Sequence, residues 1–87
     1  MGRVRVKVPA SLRLYWGGGA EARVEARTLG DAVLALGALA TRVVDEAGAL
    51  RPHVNLFVNE RLARDLATPL ADGDVVHILP AVSGGFA

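Results

Sequence analysis

Residues 3–8 read Arg-Val-Arg-Val-Lys-Val, a strict alternation of polar and apolar positions. Period two places Val4, Val6 and Val8 on one face and Arg3, Arg5 and Lys7 on the other, the pattern of a half-buried strand. Pro9 ends it or marks its edge. Residues 10–16 are ambiguous, since Leu12, Leu14 and Trp16 still point inward if the alternation continues. Gly17-Gly18-Gly19 is a turn. Ala22, Val24 and Ala26 then alternate with Arg23, Glu25 and Arg27, predicting a second strand paired with the first through a long or bulged connection.

The period changes at Thr28-Leu29-Gly30-Asp31. Thr28 suits a helix cap, and Asp31 three residues on supports a helix start. Leu29, Ala32, Val33, Leu36, Ala40, Val43, Val44 and Ala47 follow at helical spacing, so one amphipathic helix from about Leu29 to Ala47 is expected. Gly37 weakens it by about 1 kcal/mol relative to Ala, and Gly48 stops it. Residues 54–58 are a compact apolar strand, Asn59-Glu60 a turn, residues 62–70 irregular with a break at Thr68-Pro69, and Asp72-Gly73-Asp74 a second turn. Residues 75–79 form the last strand, ended by Pro80. The order is ββαββ, an α+β arrangement over residues 1–80, followed by a tail, residues 81–87, expected to be flexible.

Composition narrows the chemistry. Eighty-seven residues suggest one domain whose core must be used well. A hydrophobic fraction of 52% fits a globule and does not fit a disordered chain. Ten basic and nine acidic residues give +1, with no strong pull toward nucleic acid or anionic membrane. No apolar run reaches bilayer length and no secretory pattern opens the chain, so the expectation is a cytoplasmic protein without nucleic-acid or membrane partners. The absence of cysteine removes disulfides, thiolate metal sites and a thiol nucleophile.

The remaining chemical candidates mostly have plain structural readings. The Gly17–Gly19 run lacks the Lys-Ser/Thr and following helix of a phosphate loop. His53 and His77 lie in different elements without zinc-ligand spacing, so no metal site is expected, and His77 is placed on the outer face of the last strand. Asp72-Gly73-Asp74 is a calcium-loop fragment without the other ligands. The stripe Arg3, Arg5, Lys7 is expected to be offset by Glu21 and Glu25, with docking of a partner as its other use. Ser11 and Ser83 lack a nucleophile elbow. No catalytic residue is expected, and the chain is read as a non-enzyme.

The tail Ala81-Val82-Ser83-Gly84-Gly85-Phe86-Ala87 is different. It follows directly from an anchored strand, and Gly84 and Gly85 allow backbone angles and close approach denied to other residues. Extended at about 3.3–3.6 Å per residue, it can enter a narrow cleft.

The stretches "TLGDAVLAL", "VNLFVNE" and "LADGDVVHILPAVSGG" together resemble the MoaD/ThiS family of ubiquitin-like sulfur carriers, from the first strand to Gly85. Residues 54–85 most resemble the carriers of an alternative cysteine-biosynthesis route. The resemblance implies a β-grasp fold, with a mixed sheet and one main helix across a face. It also implies a mechanism. An E1-like enzyme uses ATP to adenylate the Gly85 carboxylate, and a sulfur donor displaces AMP to leave a thiocarboxylate. That sulfur passes to a biosynthetic enzyme making cysteine or another metabolite. No cofactor is bound by the carrier itself, which acts as a protein co-substrate. Here Gly85 is blocked by Phe86 and Ala87, an extension similar to that of thioquinolobactin-type carriers. The resemblance implies removal of this dipeptide by a JAMM-type metallopeptidase. Two other readings stay open: a modifier conjugated through Gly85, and a docked module in which the diglycine is incidental. The partner surface is expected on the outer sheet face near His77 and Val82.

Overall fold

A computed structural model describes residues 2–80. Five strands form one mixed sheet: β1 (Gly2–Lys7), β2 (Glu21–Ala26), β3 (Val54–Val58), β4 (Arg61–Leu62) and β5 (Val75–Pro80). Their spatial order is β2-β1-β5-β3-β4. β1 and β5 run parallel, and the other pairs are antiparallel. The α-helix α1 (Leu29–Leu34) and two 3₁₀-helices, Ala10–Trp16 and Gly37–Arg42, complete the elements. This is the β-grasp arrangement that the family resemblance implied, with a fifth strand, β4, that the ββαββ reading lacked because two exposed residues carry no period.

The alternation in β1 does what period two requires. Val4 and Val6 are buried while Arg3 and Arg5 are exposed. They join Ala22 and Ala26 of β2, Leu56 of β3, Val76 and Ile78 of β5, and the apolar face of the helical layer in one core. Burial of this apolar surface is the main favourable term of folding.

The helical layer departs from the expected single helix over Leu29–Ala47. Thr28 caps as expected, its hydroxyl accepting the Asp31 N–H at 3.2 Å. The α-helix nevertheless stops at Leu34, and Gly37 takes φ +60°, a left-handed angle that breaks the helical path. The chain resumes as a 3₁₀-helix at three residues per turn. Leu36, Leu39 and Ala40, and Val43 then face the core. Leu39 joins the core although the expected apolar face omitted it, and Ala47, expected on that face, is exposed. Gly37 is therefore a hinge between two short helices, not a weak point within a long one.

Two further stretches resolve. Residues 10–16 are a 3₁₀-helix closed by Gly17 at φ 61°, and Leu14 is 82% exposed, so the strand alternation does not continue there. Leu62, expected at the start of an irregular segment, belongs to β4, and residues 63–70 close the fold across the start of α1. Carbonyls of Leu66 and Thr68 accept the N–H groups of Gly30 and Leu29 at 2.8 and 2.9 Å. Those amides have no partner within the helix, so the loop satisfies them. Gly30 permits the approach: a Cβ there would lie 3.1 Å from the Leu66 carbonyl oxygen.

Gly37→Ala tests the hinge. In a helix interior it would stabilise; at a left-handed angle it destabilises, by about 1 kcal/mol. A lowered denaturant midpoint is expected, and a raised one would restore the single-helix reading.

Candidate functional site

The expected site residues Val82, Ser83, Gly84 and Gly85, with the processing residues Phe86 and Ala87, lie outside the described residues. What the fold defines is the base from which they continue. β5 is the central strand. One edge pairs with β1, from Arg5↔Val75 to Lys7↔His77. The other pairs with β3 along the whole strand, from Val58↔Val76 to Val54↔Pro80. Val76 and Ile78 are 0% and 1% exposed and fasten the strand to the core.

The beginning of β5 is fixed by the Asp72-Gly73-Asp74 turn, which has the structural role expected of it. The Asp72 carboxylate accepts the Arg3 N–H at 2.8 Å. Gly73 donates to the Arg3 carbonyl at 2.9 Å, and Arg5 donates to the Asp74 carbonyl at 3.1 Å. Asp74 also accepts the Ala71 N–H at 2.8 Å and the Asn59 side-chain amide at 3.1 Å. Asn59, at φ 56°, in turn accepts the Val75 N–H on its side-chain oxygen at 3.1 Å. The resemblance motifs "VNE" and "DGD" thus meet in one network that sets the register of β5.

Two surfaces flank the tail end of β5. On the outer face, His77 stands opposite Phe57 on one side and Lys7 on the other, with Leu79 beside Asn55. His77 and Phe57 are half-buried and Leu79 is 50% exposed. His77 therefore lies on the expected face. Leu62, exposed on β4, extends this apolar strip across Phe57.

On the helical side, Pro80 borders a cleft of about 290 Å³, lined also by Leu12, Arg42, Arg51, His53 and Val54. Arg42 lies over the Tyr15 ring, 4.6 Å from its centre. Arg51 donates from Nε to the Thr41 carbonyl at 3.0 Å. Sequence reasoning missed this cleft because its residues come from separate stretches that only the tertiary fold brings together. Among the described residues, no three or more His, Asp or Glu side chains gather as a metal site.

The stripe on β1 is offset as expected. Lys7 donates to Glu21 at 2.7 Å, Arg5 and Arg23 lie 3.8 and 3.3 Å from the same carboxylate, and Arg3 lies 3.7 Å from Glu25. The Lys7 hydrogen bond, reinforced by Arg23 and Arg5 and opposed by desolvation, lowers the Glu21 pKa.

These features define a ubiquitin-like β-grasp protein whose central strand delivers the C-terminal segment. The comparisons agree. The ThiS family pattern matches residues 6–85. Sulfur carrier protein CysO of Mycobacterium tuberculosis is 40% identical over 91 aligned positions, covering 94% of this chain and 98% of that protein. Its crystal structure superposes with a TM-score of 0.81 at 36% identity, over 91% of this chain and 99% of that one. The crystal structure of the Amycolatopsis orientalis BexX/CysO complex gives a TM-score of 0.82 at 31% identity, over 94% of this chain and 99% of the matched one. Small archaeal modifier protein 3 of Haloferax volcanii is 42% identical over 65 positions, covering 67% of this chain and 70% of that protein. The chain belongs to the ThiS family of ubiquitin-like sulfur carriers.

Glu21→Gln tests the ion-pair cluster. A depressed carboxylate pKa contributes stability that is full above the unfolded value, about 4.3, and is lost as pH falls through the lower folded value. Wild-type melting temperature should exceed that of the variant slightly at neutral pH, and the two should converge in strong acid. A constant difference at all pH values would refute the assignment.

Proposed function

We propose that this protein carries sulfur as a thiocarboxylate on Gly85, after removal of Phe86 and Ala87. The observation that carries the reading is the ThiS match, which runs to residue 85 and leaves that dipeptide outside. It is supported by the CysO likeness and by the anchoring of β5, the strand that leads to Gly84 and Gly85.

The chemistry follows from the carboxylate. An oxide leaving group is poor, so direct exchange of oxygen for sulfur is slow. In the proposed route, a Gly85 oxygen attacks the α-phosphorus of ATP held by an E1-like partner, and pyrophosphate leaves. A sulfur donor then attacks the acyl carbon and AMP departs with its electron pair. The carrier supplies a positioned acyl group, which makes each attack effectively intramolecular within the complex. With no cysteine, the chain has no thiol to capture the activated acyl group. Because Phe86 occupies the Gly85 carboxyl in a peptide bond, a peptidase must act first, and we assign this to a JAMM-type zinc enzyme. The thiocarboxylate then serves synthesis of cysteine or another sulfur metabolite. We place the carrier in the cytoplasm, with no bound cofactor and no catalysis of its own.

The likeness to small archaeal modifier protein 3 favours a second use of the same activated tail, conjugation through Gly85. Protein adducts in a lysate would mark it.

The deciding measurement is the intact mass of the protein from its native cells. Loss of the Phe-Ala dipeptide followed by an oxygen-for-sulfur shift is expected. Retention of both residues while the pathway is active would overturn the reading. In the processed form, Gly85→Val should abolish adenylation and leave the melting temperature unchanged, because residues 2–80 contain the whole described core. Normal adenylation of that variant would remove Gly85 from the mechanism.

A further inference from the structure

The proposed reaction constrains the shape of any enzyme that performs it. Gly85 lies five residues beyond Pro80, so the span between them is at most about 17–18 Å. A catalytic centre reached by so short a span must belong to a protein whose surface closes around the end of β5. One side of that collar meets Leu79 and the outer sheet face. The other side meets the cleft between Pro80 and the helical layer.

Arg13, Arg27, Arg42, Arg51, Arg61 and Arg64 all lie outside the ion pairs of the described residues, and of these Arg42 and Arg51 line the cleft at the end of β5. Among the described residues, the ion pairs within 4.0 Å engage Arg3, Arg5, Lys7 and Arg23, all on β1 and β2 and all matched by Glu21 or Glu25. Arg42 and Arg51 have no such pair. Asp45, the acidic residue nearest to Arg42 in sequence, instead accepts the Ala47 and Ala49 amides within its own loop at 2.9 and 3.0 Å, and neither it nor Glu46 pairs with Arg42 or Arg51. Stacking on Tyr15 and the bond to Thr41 hold the two guanidinium groups without neutralising them. Each keeps N–H donors in a planar fork suited to carboxylate. Leu12, Val54 and Pro80 supply apolar walls, which strengthen a pair formed there relative to open water.

We propose that this cleft receives carboxylate side chains at the mouth of the activating enzyme's tail channel, Arg42 being the principal contact. The inference rests on the carrier reading. Its role is recognition: a charged rim contact raises the association rate and its salt dependence, and leaves the chemical step alone. The polar cleft thereby orients the collar, while the apolar strip around Leu79 supplies non-directional contact.

The test uses the chain ending at Gly85, which retains all of residues 2–80, and the adenylating enzyme of the source organism. ATP–pyrophosphate exchange gives kcat and KM for the carrier across a sodium chloride series. Wild-type KM should rise with salt. Arg42→Glu should raise KM at low salt by about tenfold, the equivalent of ~1.4 kcal/mol, and flatten the salt dependence, with kcat unchanged. Arg42→Gln should fall between, and Arg42→Lys should restore part of the effect. Arg42 is exposed, so each variant should still melt cooperatively, with only the small shift expected from loss of the Tyr15 contact, which excludes misfolding. Equal KM values and equal salt slopes for wild type and Arg42→Glu would overturn this inference alone. Absence of exchange with wild type would overturn the carrier reading and this inference with it. Arg42-dependent amide shifts on adding AMP, with KM insensitive to the variants, would assign the cleft to a nucleotide and also overturn it.

Discussion

The parallel pairing of β1 with β5 is the constraint on which the rest of the structure depends. It joins residues near the two ends of the described chain, Arg5 with Val75 and Lys7 with His77, and so makes β5 central. A parallel pair cannot be closed by a tight turn, so the intervening chain must cross over, and the helical layer lies in that crossover. The junction is tight where it begins. A Cβ on Gly2 would lie 2.7 Å from the Asp72 nitrogen, so the Asp72-Gly73-Asp74 turn reaches β1 only because residue 2 has no side chain. Asn59 brings the β3–β4 turn into the same network. The register of the strand that leads to the diglycine is therefore set far from the diglycine.

That arrangement explains what the sequence disclosed and what it withheld. Strands with one wet face write their pattern at period two, so β1 and β2 were legible from Val4, Val6, Ala22 and Ala26. The apolar run of β3 and the run before Pro80 were equally plain. The helical layer was legible in its buried face and illegible in its path. Leu29, Ala32, Val33 and Leu36 fit a 3.6-residue period, but a single left-handed residue, Gly37, converts the continuation to three residues per turn. Nothing local distinguishes a glycine that breaks a helix from one that merely weakens it. Leu14 was misleading for a related reason: the alternation of Leu12, Leu14 and Trp16 mimics a strand, whereas at three residues per turn these positions fall on different faces and Leu14 turns outward. Of the functional region, the face of His77 was legible through alternation, while the diglycine tail lies outside the described residues. The Arg42 cleft was not, because it is assembled from residues 12, 42, 51, 53, 54 and 80 by the tertiary fold alone.

The charges divide along the same lines as the strands. On β1 and β2, Arg5 stands directly opposite Arg23, an unfavourable like-charge pair in isolation. Glu21 relieves it by facing both arginines and Lys7 together. β2 is an edge strand, and a charged, internally matched edge resists pairing with other chains. Charge in that region is spent on keeping the sheet single. At the other end, where β5 finishes, the matched pairs give way to Arg42 and Arg51 beside apolar walls. An ion-paired surface gains little from a partner because each new contact must replace an existing one. Unmatched cations over an apolar floor lack that opposing cost.

The family motifs therefore serve two separate ends. Asn59, Asp72 and Asp74 contribute side chains to the register network and have no part in the proposed chemistry. Gly84 and Gly85 contribute the reverse: no side chains, and in the proposed mechanism the reacting carbonyl itself. Pro80 stands at the boundary. It is paired with Val54, yet it has no N–H to donate into a ladder. The described ladder of β5 runs up to this proline, within the body of the carrier. Burial of Val76 and Ile78 resists displacement of that body, so an enzyme that takes up the diglycine receives it from a fixed origin.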